Sequence, residues 1–435
     1  MSRSKIFITL FCGALVGHTI ASPLSNTESE IVQYVNEQAS NQLQLLEKLV
    51  NINSGTTNPE GVQKVGDLLI PQFEALGFTT RWQPLPQNMH HAGSLIAELQ
   101  SKPGPSILLI GHLDTVFPHD SHFQHFSLTS DGKWATGPGV IDDKGGLVTI
   151  LYALKALKQV GALKQANIIV VITGDEEFAA KPTEISRKAL VNAAQKSTIA
   201  LGFEFALSPN ELVIGRRGLS EWILRSSGQA QHSSTVFGPQ SGFGAIYEQA
   251  RVLNEIQRAL SSTPGLTINP GLQLGGQTLQ ENAEQENGTV SGKKTIIAAQ
   301  AMTRGDLRYL TNQQRDKAQQ NMIAIANYAL AGARSSFEFH SIIPVMEPSE
   351  ANQTLLTEFN AISKSLQGPT LQAIPPEQRG GADISYVADV VAANLDGLGP
   401  WGHGAHSEQE TLEVASLSIA TQRATLFLLQ TISKH

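Results

Sequence analysis

Beyond residue 27, Ile31, Tyr34, Val35, Leu43, Leu46, Leu49 and Val50 recur at helical spacing and predict a helix over Glu28–Asn51. A second helix is expected from Gly61 to Leu76, closed by Gly77. The pattern then changes to short apolar runs at Ser94–Leu99, Ser106–Ile110, Asn167–Thr173 and Thr198–Phe203. Ile-Leu-Leu-Ile at 107–110 and Ile-Ile-Val-Val-Ile at 168–172 are continuous rather than alternating, as in strands covered on both faces. Lys144–Gln159 between them has a helical pattern. Strand, helix and strand in alternation predict an α/β fold with a mixed, largely parallel sheet.

From about Ile214 the pattern differs. Ser220–Ser227 alternates, Gly244–Leu260 and Thr311–Leu330 are helical, and Thr295–Leu310 and Ser336–Ile343 are strand-like. This order predicts a smaller α+β domain of ferredoxin-like type, inserted into the first. Ser261–Lys294, rich in Gly, Asn and Gln, is expected to be a mobile loop. Beyond Pro348 come a helix, a loop, a strand at Val391–Leu395 and a terminal helix over Glu413–Ser433. The expected division is therefore a catalytic domain from 22–214 and 346–435 and an inserted domain from 215–345.

At 435 residues and 41% hydrophobic content, the chain can bury a large core. Its net charge of −7 leaves no basic footprint for nucleic acid. The single cysteine, Cys12, excludes a disulfide framework and a cysteine-based zinc site. Arg3 and Lys5, then the apolar stretch Ile6–Ile20 and Ala21, have the layout of a secretory signal peptide over residues 1–21. The apolar part falls short of the roughly 20 residues a membrane-spanning helix needs. The expectation is a secreted or periplasmic protein with no membrane attachment once that segment is removed. Asn287-Gly-Thr and Asn352-Gln-Thr fit the glycosylation triplet.

The acidic and histidine residues fall at the ends of the expected strands. His112 and Asp114 follow the run that begins at Ser106, and Asp142 and Asp143 lie in a glycine-rich turn before a helix. Glu176 and Glu177 follow Asn167–Gly174, Glu204 follows Phe203, and His406 lies in a glycine-rich loop after the last strand. Ligands of open α/β sheets bind at the carboxyl ends of strands, so these groups are expected to converge. Several ionised carboxylates share a small site only when a cation compensates them. Two His, one Asp and two Glu suit zinc, or cobalt or manganese. One carboxylate can bridge two ions about 3.5–4 Å apart, and Asp142, between the other ligands in sequence, is the natural bridge. Asp114 is placed to accept the other ring N–H of His112. Taken singly, each group has an ordinary alternative: a solvated Glu-Glu loop, a structural histidine, or acidic residues at a helix N-terminus. The ordered set carries the weight.

Gly-His-Leu-Asp-Thr-Val (111–116), Gly-Pro-Gly-Val-Ile-Asp-Asp-Lys-Gly-Gly (137–146), Gly-Asp-Glu-Glu (174–177), Phe203-Glu204 and Gly-Ala-His-Ser (404–407) together resemble the di-zinc aminoacylase and carboxypeptidase G metallopeptidase family. Acetylornithine deacetylases, succinyl-diaminopimelate desuccinylases and glutamate carboxypeptidases belong to it, and the last group looks nearest. The resemblance covers essentially the whole chain after residue 21. It implies two zinc ions per subunit, one held by His112, Asp142 and Glu204 and the other by Asp142, Glu177 and His406. It implies Glu176 as general base toward a water between the metals, and His232 as the oxyanion-stabilising histidine, typically supplied by the partner subunit of a homodimer formed through the inserted domain. Arg308 would lie near the substrate carboxylate, and Gly380 and Gly381 would let backbone approach the substrate. The implied substrate is a small peptide or N-acyl amino acid, cleaved at an amide beside a free C-terminal carboxylate. A non-catalytic binding protein with the same cleft is the rival of another class; a dipeptidase or deacylase is the rival within it.

Two departures bear on specificity. Thr295-Ile-Ile-Ala298 stands where the family pattern has Asn-x-x-Pro, and Phe339-His-Ser-Ile-Ile-Pro carries no arginine. An acidic substrate side chain would need another cation, and Arg216, Arg217 and Arg379 are the candidates.

Overall fold

The computed structural model describes residues 23–282 and 287–434. The expected signal segment, with Cys12, lies outside them. Two sheets organise the chain. The larger has six strands in the order Thr79–Gln83, Ser94–Gln100, Asn167–Thr173, Ser106–His112, Ser197–Gly202 and Ala393–Leu395. The last four run parallel to one another, while Ser94–Gln100 is antiparallel to both of its neighbours. The sheet is mixed and largely parallel, as the sequence predicts.

Alternate side chains of one strand enter different cores. Ile107 and Leu109 join a cluster with Leu147, Leu151 and Leu428 of the helices Lys144–Gln159 and Val414–Lys434. Leu108 and Ile110 join the opposite cluster with Leu190, Ile384 and Val387. Each such side chain contributes about 1.5–3 kcal/mol by leaving water, which is why the central strands carry no polar alternation. The acidic and histidine side chains of interest are left to the strand ends, where the chain emerges from between the layers.

The predicted helix Glu28–Asn51 is two helices, Asn26–Glu37 and Ala39–Val50, separated at Gln38. Ile31, Val35, Gln42, Leu45, Leu46 and Leu49 are buried across both, so the break keeps the apolar register and leaves no mark in the periodicity. Asn58 caps the next helix through Gly61 N at 3.2 Å, with Pro59 in its first turn.

The second sheet has four antiparallel strands in the order Thr267–Gly276, Gln300–Tyr309, Gly218–Ser227 and Arg334–Ile343. Helices Gly244–Leu260 and Asn312–Asn327 cover one face around Trp222, Leu224, Leu307 and Tyr309. This is the ferredoxin-like arrangement expected from the strand-helix-strand-strand-helix-strand order. Ser261–Lys294 is not a loop: it supplies the edge strand Thr267–Gly276 and a hairpin of Thr278–Asn282 with Asn287–Ser291. Its polar side chains are mostly exposed, so composition alone hides the strands. Arg225 holds the hairpin through Glu281 at 2.6 Å. Thr295–Ala299 likewise lies outside the strand that begins at Gln300. Asn352 is buried, donating to the Ile214 carbonyl at 3.0 Å, so its triplet offers no surface acceptor for glycosylation. Among the described residues, no helix is long and apolar enough to cross a membrane.

Candidate metal centre

His112 ends its strand, and the Asp142–Asp143 turn precedes the helix Lys144–Gln159. Asp143 wedges beneath: its Oδ2 accepts from His112 N at 3.2 Å. A Cβ at Gly146 would stand 2.1 Å from Asp143 Oδ1, so the glycines of this turn are what allow the helix to approach. Above it, the two carboxylate oxygens of Asp142 face different histidines. Oδ1 is 3.0 Å from His112 Nε2, and Oδ2 is 3.0 Å from His406 Nε2. Glu204 Oε1 stands 3.5 Å from His112 Nε2, and Glu177 Oε2 stands 3.1 Å from His406 Nε2. The result is two three-residue groups, His112–Asp142–Glu204 and Asp142–Glu177–His406, that share Asp142. His406 adopts a left-handed backbone with φ of 63°, which turns its ring from an exposed loop back onto the cluster.

The electrostatics are those of a site built for cations. Burial drives Glu204 up to about 7, with the Asp142 charge adding to it. Burial also raises Glu177, and it raises Glu176 well above the usual carboxylate range, helped by Glu204, Asp383 and Glu177. Asp142 is held below that range despite burial, because both histidines hydrogen bond to it. The same bonds lift His406 to about 11. His112 rises well above its ordinary value, its burial outweighed by Asp114, Asp142 and Glu204. The nitrogen-oxygen donor set with one shared carboxylate fits a pair of divalent ions, which would compensate these carboxylates.

Asp114 reaches further than the expected histidine contact. Its Oδ1 is 3.3 Å from His112 Nδ1, and its own backbone carbonyl is nearer, at 3.1 Å. The carboxylate also accepts from Glu176 N at 3.0 Å, Glu177 N at 3.1 Å and Thr56 Oγ1 at 2.6 Å. It thus ties the first histidine to the Glu176–Glu177 turn. The Glu176 carboxylate itself makes no hydrogen bond among the described residues.

Three supporting groups escape the sequence reading. Glu410 is buried and accepts from Gly139 N, Ile141 N and Asp142 N at 3.0, 2.9 and 3.2 Å, cradling the Asp142 loop from the His406 loop. Burial and the Asp142 charge push its carboxyl up to about 8. Lys144 is buried with Nζ on the Ile52 carbonyl at 3.0 Å, and burial lowers its pKa to about 7. Arg187, also buried, pairs with Asp175 at 2.7 Å and Asp383 at 2.6 Å behind the Glu176 turn. For Glu410 and Lys144 the sequence signal is an acidic or basic residue close to a ligand, which surface loops share; Arg187 has none.

The remaining candidates lie apart from the cluster. His232 is exposed, with Nδ1 2.8 Å from Ser234 Oγ, and it has no hydrogen bond or ion pair to the ligand residues. Arg308 lines a cleft of about 970 Å³ between the uncovered face of the second sheet and the loop Phe178–Lys181 that follows Glu177. Its Nε is paired with Asp306 at 3.0 Å. Gly380 is exposed, whereas a Cβ at Gly381 would stand 2.6 Å from Ile343, so that glycine answers to packing of its loop against the strand Arg334–Ile343.

The family model for peptidase family M20/M25/M40 matches residues 108–430. Carboxypeptidase G2 of Pseudomonas sp. (strain RS-16) is 25% identical over 425 residues, 95% of this chain and 94% of that protein. Among solved structures, aminopeptidase PepT from Bacillus cereus aligns with a TM-score of 0.70 at 17% identity, covering 91% of this chain and 99% of that one. The Bacillus subtilis YXEP protein, a dinuclear metal binding peptidase, aligns with a TM-score of 0.61 at 14% identity, covering 92% and 100%.

Proposed function

Since the chain belongs to peptidase family M20/M25/M40, we propose that this metal-dependent hydrolase is an exported exopeptidase cleaving an amide beside a free C-terminal carboxylate. The observation that carries the reading is the two-sided placement of Asp142 between His112 and His406. His112, Asp142 and Glu204 would hold one zinc ion and Asp142, Glu177 and His406 a second, with cobalt or manganese as substitutes. When bound, such ions polarise the amide carbonyl and make water a stronger nucleophile at neutral pH.

The chain's own groups do the rest. Glu176 has no side-chain hydrogen-bond partner among the described residues and stands beside the cluster, so its carboxylate is available to take a proton from the attacking water and pass it to the leaving nitrogen. Asp114 fixes the backbone of Glu176 and the ring of His112 in one register. The cleft offers room for a small peptide or N-acyl amino acid, with Phe178 and Arg308 on its walls. His232, exposed on the inserted domain of residues 215–345, would complete the neighbouring site of a homodimer and stabilise the oxyanion there. Residues 22–214 with 346–435 would form the catalytic domain.

A second reading shares this machinery but releases neutral residues, as a dipeptidase or deacylase; the pairing of Arg308 with Asp306 favours it, since that guanidinium is partly engaged. Amino acid release from zinc-loaded protein, read by mass spectrometry, separates the two. The panel would hold benzoyl-glutamate, other N-acyl amino acids and dipeptides. Release of C-terminal glutamate supports the first reading and release of neutral residues the second. Silence across the panel with two metals bound would leave a binding protein. Export rests on Arg3, Lys5 and the apolar Ile6–Ile20 segment. An N-terminus at residue 22 in the exported protein would support it, and a chain retained with Met1 intact would exclude it.

A further inference from the structure

Three of the four arginines weighed as cations for the substrate are engaged by the protein. Arg216 is buried with Nε on Asp396 Oδ2 at 2.7 Å and Nη1 on the Gly380 carbonyl at 2.9 Å. Arg217 donates to the Glu377 carbonyl at 3.3 Å, and Arg308 pairs with Asp306 at 3.0 Å. Arg379 differs. Its side chain is 5% exposed, yet it donates no hydrogen bond to any described residue. Its Nε is sealed from solvent without an acceptor, as are Arg216 Nη2 and Arg217 Nε, but those two arginines have hydrogen bonds through their other nitrogens. Nη2 stands 3.6 Å from Glu204 Oε2, beyond hydrogen-bond distance, and the guanidinium lies over the Phe205 ring at 4.3 Å.

A guanidinium carries five N–H donors in a fixed fork. Buried charges are normally paired and hydrogen-bonded, and a buried group left without partners asks for a functional explanation. Burial and the nearby Arg216 cation disfavour its charge, while Glu204, Asp396 and Asp142 favour it. Arg379 is therefore held without a hydrogen-bond acceptor among the described residues, its charge facing, at 3.6 Å, the outer oxygen of Glu204, whose other oxygen faces His112. The next residue, Gly380, has open space where a Cβ would stand, so the edge of this loop is clear for an approaching group.

We propose that Arg379 is the specificity-determining residue that receives a carboxylate of the substrate's leaving amino acid. This rests on the peptidase reading and moves carboxylate recognition from the expected Arg308, held by Asp306, to Arg379 beside Glu204. Arginine suits the task because two parallel N–H groups match the two oxygens of a carboxylate.

The test compares Arg379→Met and Arg379→Lys with the unaltered, zinc-loaded full chain. Kinetics on benzoyl-glutamate are read as separate KM and kcat, alongside metal content and the affinity for free glutamate by calorimetry. Loss of a charged hydrogen-bonding partner is expected to raise KM and weaken glutamate about 10- to 100-fold in Arg379→Met. The loss should fall on KM rather than kcat, with metal content unchanged and partial recovery in Arg379→Lys. Unchanged glutamate affinity in both variants overturns the proposal. So does a parallel fall in metal content and kcat with glutamate affinity intact in reloaded protein, which would make Arg379 a support for Glu204. If the unaltered protein cleaves nothing, the peptidase reading fails by itself, and the glutamate calorimetry still decides Arg379.

Discussion

Glu176 and Glu177 are neighbours in sequence but different carboxylates. Glu177 faces His406 at 3.1 Å, whereas Glu176 has no side-chain hydrogen-bond partner among the described residues. Removing them should therefore fail differently. Glu176→Ala is expected to keep its full metal content and lose about 10²–10⁴-fold in kcat, the usual contribution of a general base. Glu177→Ala should lose metal as well, and metal analysis beside steady-state kinetics separates the two. A Glu176→Ala protein of undiminished rate would remove the proton-shuttle assignment. The histidines make a second prediction. In the metal-free chain His406 is raised to about 11 by Asp142 and Glu177, and His112 well above its ordinary value. Each must lose its proton to become a ligand, so metal competes with protons and apparent affinity should rise with pH through neutrality. Loading at neutral pH is expected to release about two protons or more, the excess coming from the raised carboxyls. Calorimetry in buffers of different ionisation enthalpy counts them. Binding with no proton release and no pH slope would contradict the placement of both histidines.

At the scale of elements, the sequence makes the strands and the ligands they carry readable, for one physical reason. Asn167–Thr173, Lys144–Gln159 and Gly244–Leu260 have the predicted bounds because burial on two faces, or on one helical face, leaves a strong apolar pattern. The expected ligands lie at the ends of such elements: His112 closes a strand, Asp142 precedes a helix, and Glu177, Glu204 and His406 come after strands, so reading the elements locates the residues. The hairpin at 278–291 is held by cross-strand pairing and the Glu281–Arg225 contact, neither of which periodicity records. Glu410 is hidden in the same way: it is buried, while Glu408 on the same loop is exposed, and only the fold tells them apart. Because Glu410 accepts three N–H groups of the Asp142 loop, it couples that loop to the one carrying His406. Glu410→Gln sets an amide donor against those donors. Metal affinity should fall about 10–100-fold, the usual effect of losing a group that orients ligands, with Glu408→Gln as an unaffected control. Competition with a chromogenic chelator reads this without reference to turnover. Equal affinities in the two variants would reduce Glu410 to a loop-packing residue.

At the scale of the whole molecule, the metal cluster and His232 lie on separate parts of one chain. The cluster sits at the carboxyl ends of the larger sheet's central strands. His232 lies on an exposed loop beside the second sheet, bridged to Ile296 and bonded to Ser234 and Thr235. Within its own chain His232 makes no hydrogen bond or ion pair with the cluster among the described residues. A symmetric dimer offers another route, because each subunit can present the same loop to the other's site. The two routes differ in a mixing experiment. Glu176→Ala and His232→Ala proteins, each of low activity alone, are combined under conditions that let subunits exchange. If His232 acts across the interface, a mixed dimer has one site with both groups intact, built from Glu176 of one chain and His232 of the other. Random exchange should then restore about a quarter of the unaltered activity, since half the dimers are mixed and each has one complete site. If His232 acts within its own chain, every site in the mixture lacks one group and activity stays at the level of the parents. A full-activity His232→Ala protein would remove the residue from the mechanism under either arrangement and leave oxyanion stabilisation to groups around the cluster itself.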